Sequence, residues 1–149
     1  MATSNRLGLR RRLINAVVTP FVRLGLAGRN TYLLTVEGRK SRRRYSTPVT
    51  LVVDGDNRWL VAPYGERNWV KNARAAGWVE LGRGGKRQRF EVNEADAEEA
   101  GPVLRKYRRK YPLTGSFFDA RANDPIEVFM SEAPRHPVFR LSPETHDER

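Results

Sequence analysis

The sequence predicts an α+β fold: a small, mainly antiparallel β-barrel with an amphipathic helix before it and two helices late in the chain. Three observations carry that reading. Short β-rich runs follow one another across tight turn signals, as at Asp54-Gly55-Asp56-Asn57 and Gly84-Gly85. A single short helical stretch, Asn68 to Ala76, interrupts them. Strands joined through hairpins with one short helix inserted close naturally into a barrel.

Residues 5 to 26 open the chain as a basic amphipathic helix. Leu13, Val17, Phe21 and Leu24 recur at helical spacing, flanked by Ile14 and Val18, while Arg10, Arg11, Arg12 and Arg23 lie elsewhere. Pro20 kinks or ends it. Arginines followed by an apolar run also resemble a secretory signal. Asn15, Thr19 and Pro20 interrupt that run, however, and it falls short of the ~20 residues of a membrane-spanning helix. A helix that packs on the domain or rests on an anionic membrane surface fits better.

Strands follow at Thr31 to Val36, Ser46 to Val53 and Arg58 to Ala62. Pro63-Tyr64-Gly65 breaks the third, and Gly77 stops the Asn68 to Ala76 helix. Trp78 to Arg83 and Lys86 to Val92 are two further strands. Asp96 followed by Glu99 is a capping-box pattern for a helix reaching Tyr111, before Pro112. Thr114 to Asn123 reads as a loop. Asp124, Pro125 and Glu127 then cap a helix to Glu132, and Pro137 to Leu141 is a last strand. With no repeat and no linker, the 149 residues read as one domain: 1–29 the basic helix, 30–141 the barrel, 142–149 a tail.

Composition narrows the chemistry. Lys and Arg number 28 against 17 acids, a formal charge of +11. That balance favours an anionic partner: nucleic acid, a membrane surface or a polyanionic small molecule. Cysteine is absent, which removes disulfides, thiolate metal sites and cysteine nucleophiles. His136 and His146 are the only histidines, and His136, between Arg135 and Pro137, reads as a surface residue. A multi-histidine metal site and a Ser-His-Asp hydrolase are disfavoured. An enzyme with these residues borrows its chemistry from a cofactor.

The densest charge lies between the first two strands, where Gly38 is followed by Arg39, Lys40, Ser41, Arg42, Arg43 and Arg44. Such a turn suits a ligand with several negative charges, and Gly38 lets the backbone turn sharply or approach it closely. A solvated basic hairpin is the alternative, and charge alone leaves both open. Farther on, Ala62 through Asn72 places a Pro/Gly-broken loop before a helix N-terminus, whose unpaired N–H groups suit phosphate or carbonyl oxygens. Trp69 and Asn72 share one face of that helix and could hold the edge of a planar heterocycle; equally, Trp69 is core and Asn72 satisfies a nearby carbonyl. Arg105, Lys106, Arg108, Arg109 and Lys110 read as a solvated helix face.

Val36-Glu37-Gly38-Arg39-Lys40-Ser41, Thr47-Pro48 and Ala62 through Asn72 together resemble the deazaflavin-dependent nitroreductase and quinone reductase family. The resemblance spans residues 7 to 141 in element order. It implies a split β-barrel that binds coenzyme F420, with FMN as the alternative. It also implies hydride delivery to a quinone, a nitro compound or an activated alkene. By that resemblance the loop of Gly38, Arg39, Lys40 and Ser41 holds the phosphate and oligoglutamate tail of the cofactor, and Thr47 and Pro48 are further cofactor-binding candidates. Pro63, Tyr64 and Gly65 then border the ring, Asn68, Trp69 and Asn72 are further cofactor-binding candidates, and Tyr111 lies near the electron acceptor; Tyr64 or Tyr111 is the candidate to donate a proton or hydrogen-bond the acceptor oxygen. The chain departs from the family pattern where Arg42 replaces the usual Gly, where Tyr45 replaces the usual Arg, and where Pro63-Tyr64 replaces a small or hydroxyl residue followed by Lys.

The expected partner is a small-molecule acceptor rather than nucleic acid, with an anionic membrane surface as a second contact. The protein is then a monomer or homodimer, cytoplasmic or peripheral on the inner face of the plasma membrane. Two rivals stand beside this reading: a basic barrel that binds nucleic acid, and a peripheral membrane protein whose first helix is the active part.

Overall fold

The computed structural model describes residues 30–144. The predicted basic helix and the end of the tail lie outside the described residues. Six strands, β1 (Thr31–Glu37), β2 (Arg44–Asp54), β3 (Asn57–Val61), β4 (Trp78–Arg83), β5 (Lys86–Glu94) and β6 (Val138–Pro143), form a closed barrel. Their order around the wall is β1-β2-β3-β6-β5-β4, and every pairing is antiparallel. Helix α1 (Asn68–Ala76) connects β3 to β4; α2 (Ala97–Lys110) and α3 (Ile126–Glu132) lie between β5 and β6.

Alternation along the strands explains the layers. Leu34, Val36, Leu51, Leu60, Val79, Leu81, Phe90, Phe139 and Leu141 point into the barrel. Their neighbours Val52, Trp59, Val61 and Val138 face outward and pack under Ala100, Val103, Leu104 and Tyr107 of α2 and Phe129 of α3. β2, β3 and β6 are therefore apolar on both faces, which is why Val49 to Val53 reads as a continuous β-branched and aliphatic run. Leu34, Leu51 and Leu60 are fully buried, each contributing about 1.5–3 kcal/mol relative to exposure.

Several local signals act through different partners than the sequence suggests. Asp96 does cap α2, accepting from the Glu99 N–H at 2.9 Å. The Glu99 carboxylate turns instead to Trp59 Nε1 (2.8 Å) and Arg140 Nε (2.9 Å), tying the helix to β3 and β6. Gly101 lies where α2 meets α3: a Cβ there would stand 2.5 Å from Met130 Cγ. The predicted loop after Pro112 holds a 3₁₀ turn, Pro112–Phe117. Asp124 does not cap α3; it accepts from the Arg121 N–H at 2.7 Å, and Pro125 takes the cap position. β2 begins at Arg44, ahead of the expected Ser46, because Glu37 and Arg44 pair across the hairpin.

Candidate cofactor cleft

The antiparallel pairings bring the β1–β2 loop, the segment after β3 and the start of α1 to one end of the barrel. Within the loop the Gly38 N–H donates to the Arg43 carbonyl (2.7 Å) and the Arg42 N–H to the Gly38 carbonyl (3.0 Å). Ser41 Oγ accepts from the Arg43 N–H (3.2 Å) and lies 3.1 Å from the Tyr45 hydroxyl. The Tyr45 ring covers Gly38 so closely that a Cβ there would be 2.7 Å from Cε2 and 2.8 Å from Ser41 Oγ. A side chain there would have to push the exposed Tyr45 ring and the Ser41 hydroxyl aside and would stand 3.3 Å from the Arg43 carbonyl. Arg42 is the non-glycine residue with positive φ (61°) among the described residues, at the position where the family pattern has glycine.

Asn72, buried on α1, anchors this loop. Its Oδ1 accepts from the Arg39 N–H (3.1 Å) and from Arg39 Nη1 (2.8 Å). Both bonds arrive from the basic loop. Trp69, half-buried, packs against Phe139 at 6.3 Å between ring centroids and also lines the cleft.

Helix α1 starts from Arg67 in an extended conformation (φ −74°, ψ 170°), with no side-chain cap and no acid in its first turn. The Val70 and Lys71 N–H groups turn back to the Arg67 carbonyl (3.0 and 3.3 Å), which leaves the Asn68 and Trp69 amides at the positive end of the helix dipole without a side-chain cap. Gly77 closes the other end in a left-handed conformation, φ 79°.

These parts enclose a cleft of about 480 Å³. Gly38, Arg39, Lys40, Ser41, Thr47, Asn68, Trp69 and Asn72 line it together, with Tyr45 and Arg67 added. Arg67 was not singled out by the sequence, although its place just ahead of the helix was a usable signal. No Asp or Glu lines the cleft. Arg42 and Arg44 make long exposed pairs with Glu37 (3.8 Å) and Glu80 (3.6 Å), whereas Lys40 makes no ion pair among the described residues.

The other sequence-predicted residues lie around this cleft or away from it. Pro48 sits exposed on β2, and Pro63 is buried behind the loop. Gly65 turns the chain at φ 89°. Tyr64 projects from the same loop, half-exposed, its ring edge-on to Phe117 at 4.6 Å and 79°. Tyr111 ends α2 with its hydroxyl donating to the Leu51 carbonyl at 3.4 Å and its ring 4.8 Å from Tyr107. Burial raises both the Tyr111 and the Tyr107 hydroxyl pKa, keeping the phenols protonated at neutral pH.

His136 is not on the surface. It is buried and stacked on Phe118 at 4.2 Å. The preceding α3 turn folds under the Pro63 loop, a tertiary placement that its charged sequence neighbours conceal.

A family model described as F420H(2)-dependent quinone reductase matches residues 12–139. The chain belongs to that family. It is a deazaflavin-dependent oxidoreductase, and coenzyme F420 is its cofactor, with FMN a minor alternative. No curated protein matches the chain in sequence.

Among solved structures, an F420-H2 dependent reductase (FDR-A) is 21% identical with a TM-score of 0.55, covering 76% of this chain and 95% of its own. A domain-swapped dimer is 18% identical with a TM-score of 0.55, over 92% and 99% of the two chains. A NimC/NimA family protein from Clostridium acetobutylicum is 12% identical with a TM-score of 0.52, over 76% and 73%. Each shares the fold.

The donor set of this cleft suits such a cofactor: cations and an uncapped helix start for an anionic tail, and a flat indole beside them. Among the described residues there is no cluster suited to a metal ion, and no helix long and apolar enough to cross a membrane.

Proposed function

We propose that this reductase passes the reducing power of F420 to a quinone, with nitro compounds and activated alkenes as acceptors of the same electrophilic character. The observation that carries the reading is the acid-free cleft in which Arg39, Lys40, Ser41 and the α1 N-terminus converge. Arg39 and Lys40 would hold the phosphate and carboxylates of the tail, with Asn72 fixing Arg39 in place. Trp69 would lie along the ring. Bound and reduced, F420 supplies a hydride, which together with a proton turns a quinone into a hydroquinone.

Tyr64 is the better placed phenol to hydrogen-bond the acceptor oxygen and give it the proton. Its hydroxyl is on an exposed loop three residues before the cleft-lining Arg67, whereas the Tyr111 hydroxyl is turned toward the Leu51 carbonyl (3.4 Å) and the Asn30 side chain. The Pro63–Gly65 loop and Phe117 would keep water from the reacting face. Assembly as a homodimer, by analogy with the domain-swapped neighbour, and contact with an anionic membrane belong to this proposal too.

Titration of the purified protein with F420, with FMN and short single-stranded DNA beside it, tests the reading. Saturable F420 binding that weakens roughly tenfold in Lys40→Ala supports it. Tyr64→Phe should then lower quinone turnover without changing F420 affinity. Binding to DNA alone, falling steeply with salt, sinks the reductase reading.

A further inference from the structure

A buried polar cluster sits between α3 and β6, outside the cofactor cleft. Glu132 is 1% exposed, and its Oε1 accepts the backbone N–H groups of Asp119 (2.5 Å) and Ala120 (3.1 Å). Arg135 lies 3.8 Å from the same oxygen and pairs with the Asp119 carboxylate. His136, 5% exposed, stacks on Phe118 at an interplanar angle of 27° and lies beside the backbone carbonyls of Pro63 and Ala62. Gly65 passes over the same turn: a Cβ there would be 3.5 Å from the Arg135 carbonyl.

One short turn thus grips two loops that no strand pairing connects, residues 62–65 and 117–120. Tyr64 and Phe117 project from these loops and meet edge to face. The grip is costly as packing alone. Glu132 Oε2 and His136 Nδ1 are buried without a hydrogen-bond partner among the described residues. An unpaired buried polar atom costs free energy that an apolar side chain of the same shape avoids. What the turn supplies in return is direction: Glu132 holds two successive amides of the 117–120 loop, and beside His136 the Ala62 N–H donates to the Pro137 carbonyl (2.9 Å), fixing the start of the 62–65 loop in a way that apolar contact does not.

We propose that Glu132, Arg135 and His136 are positioning residues that set the Tyr64–Phe117 pair as one wall of the acceptor subsite, its half-exposed rings taking the edge of a planar, apolar acceptor. The inference rests on the reductase reading. None of the three residues lines the cofactor cleft, so acceptor handling and cofactor binding separate.

The test uses the full chain with F420 and menadione. His136→Phe keeps an aromatic ring on Phe118 and removes both nitrogens, and His136→Gln keeps a polar end without the ring. In His136→Phe the KM for menadione should rise about tenfold, the scale of a small misplacement of a contact wall. The Kd for F420 should stay within about twofold, since the cleft is untouched. His136→Gln should recover part of the KM. Hydrogen exchange should quicken at amides 62–66 in His136→Phe and stay unchanged at 38–43.

Unchanged exchange at 62–66, or a KM that moves only together with the F420 Kd, overturns the proposal. Should the wild-type protein fail to bind F420, the proposed function falls. The exchange comparison would still decide whether His136 holds the loop.

Discussion

The two ends of the barrel carry similar charge and are built differently. At one end Arg39 and Lys40 meet Asn72, Trp69 and the open N-terminus of α1 around a cleft of about 480 Å³. At the other, Arg58, Arg83, Lys86 and Arg87 ring a recess of about 400 Å³ with Leu81 and Phe90 inside. There the cations are turned to aromatic and acidic neighbours: Arg83 lies 5.7 Å from the Tyr32 ring centroid, and Arg87 is 3.8 Å from Glu80. Among the described residues, none that lines that recess belongs to a helix. Similar numbers of positive charges therefore give two surfaces, and fixed dipoles with a buried anchor separate a candidate site from a solvated one.

Asn72→Leu attacks that difference most directly. Arg39 would lose both hydrogen bonds to α1, and F420 affinity should fall by roughly one to two orders of magnitude, as for a hydrogen bond to a charged group. Arg83→Ala with Lys86→Ala at the opposite end should change it by less than about twofold. Equal losses in the two variants, read by fluorescence titration, would mean that net charge alone drives binding.

A pH series sharpens the contrast from below the cleft. Burial lowers the His136 pKa from 6.5; Glu132 and the Pro63 and Ala62 carbonyls oppose this, and Arg135 adds to it. The unfolded chain therefore takes up a proton first as pH falls. The associated stability is full above 6.5 and is lost as pH drops toward the lowered folded value, below which it levels. The urea midpoint should fall between pH 7.5 and 5.5, and His136→Phe should flatten part of that slope while Asp119, Glu132 and Arg135 remain. A wild-type slope identical to the variant's would remove His136 from the account.

The smallest effect belongs to Arg42. A left-handed conformation strains an L-residue, so Arg42→Gly should stabilise the protein by at most about 1 kcal/mol. F420 affinity should move by less than about twofold, because the Arg42 side chain is exposed and only loosely paired with Glu37. Calorimetry and the same titration measure both. A large loss of affinity would show that Arg42 has left Glu37 for the ligand.

Much of the fold was legible because its signals are local. The limits of α1 follow from the proline and glycines on either side of it, and the antiparallel barrel follows from short alternating runs joined by tight turns. The basic loop and the helix N-terminus were visible as separate pieces, and their order resembled the family's. Legibility ended where two segments had to meet. The capping-box carboxylate of Glu99 went to Trp59 and Arg140, forty or so positions away in either direction, because a buried indole N–H and a guanidinium outcompete a solvated backbone amide. His136 looked exposed among charged neighbours and is buried beneath Pro63.

By itself the sequence determined the order of strands and helices among the described residues, the cationic loop, and a composition without cysteine and with two histidines. These depend on residue type and on neighbours a few positions apart. Only the tertiary structure decided that Asn72 receives Arg39, that Tyr45 covers Gly38, and that Tyr111 turns to Leu51 while Tyr64 faces Phe117. Such contacts depend on barrel closure, which brings together residues that no periodicity links; their partners are chosen by distance and burial.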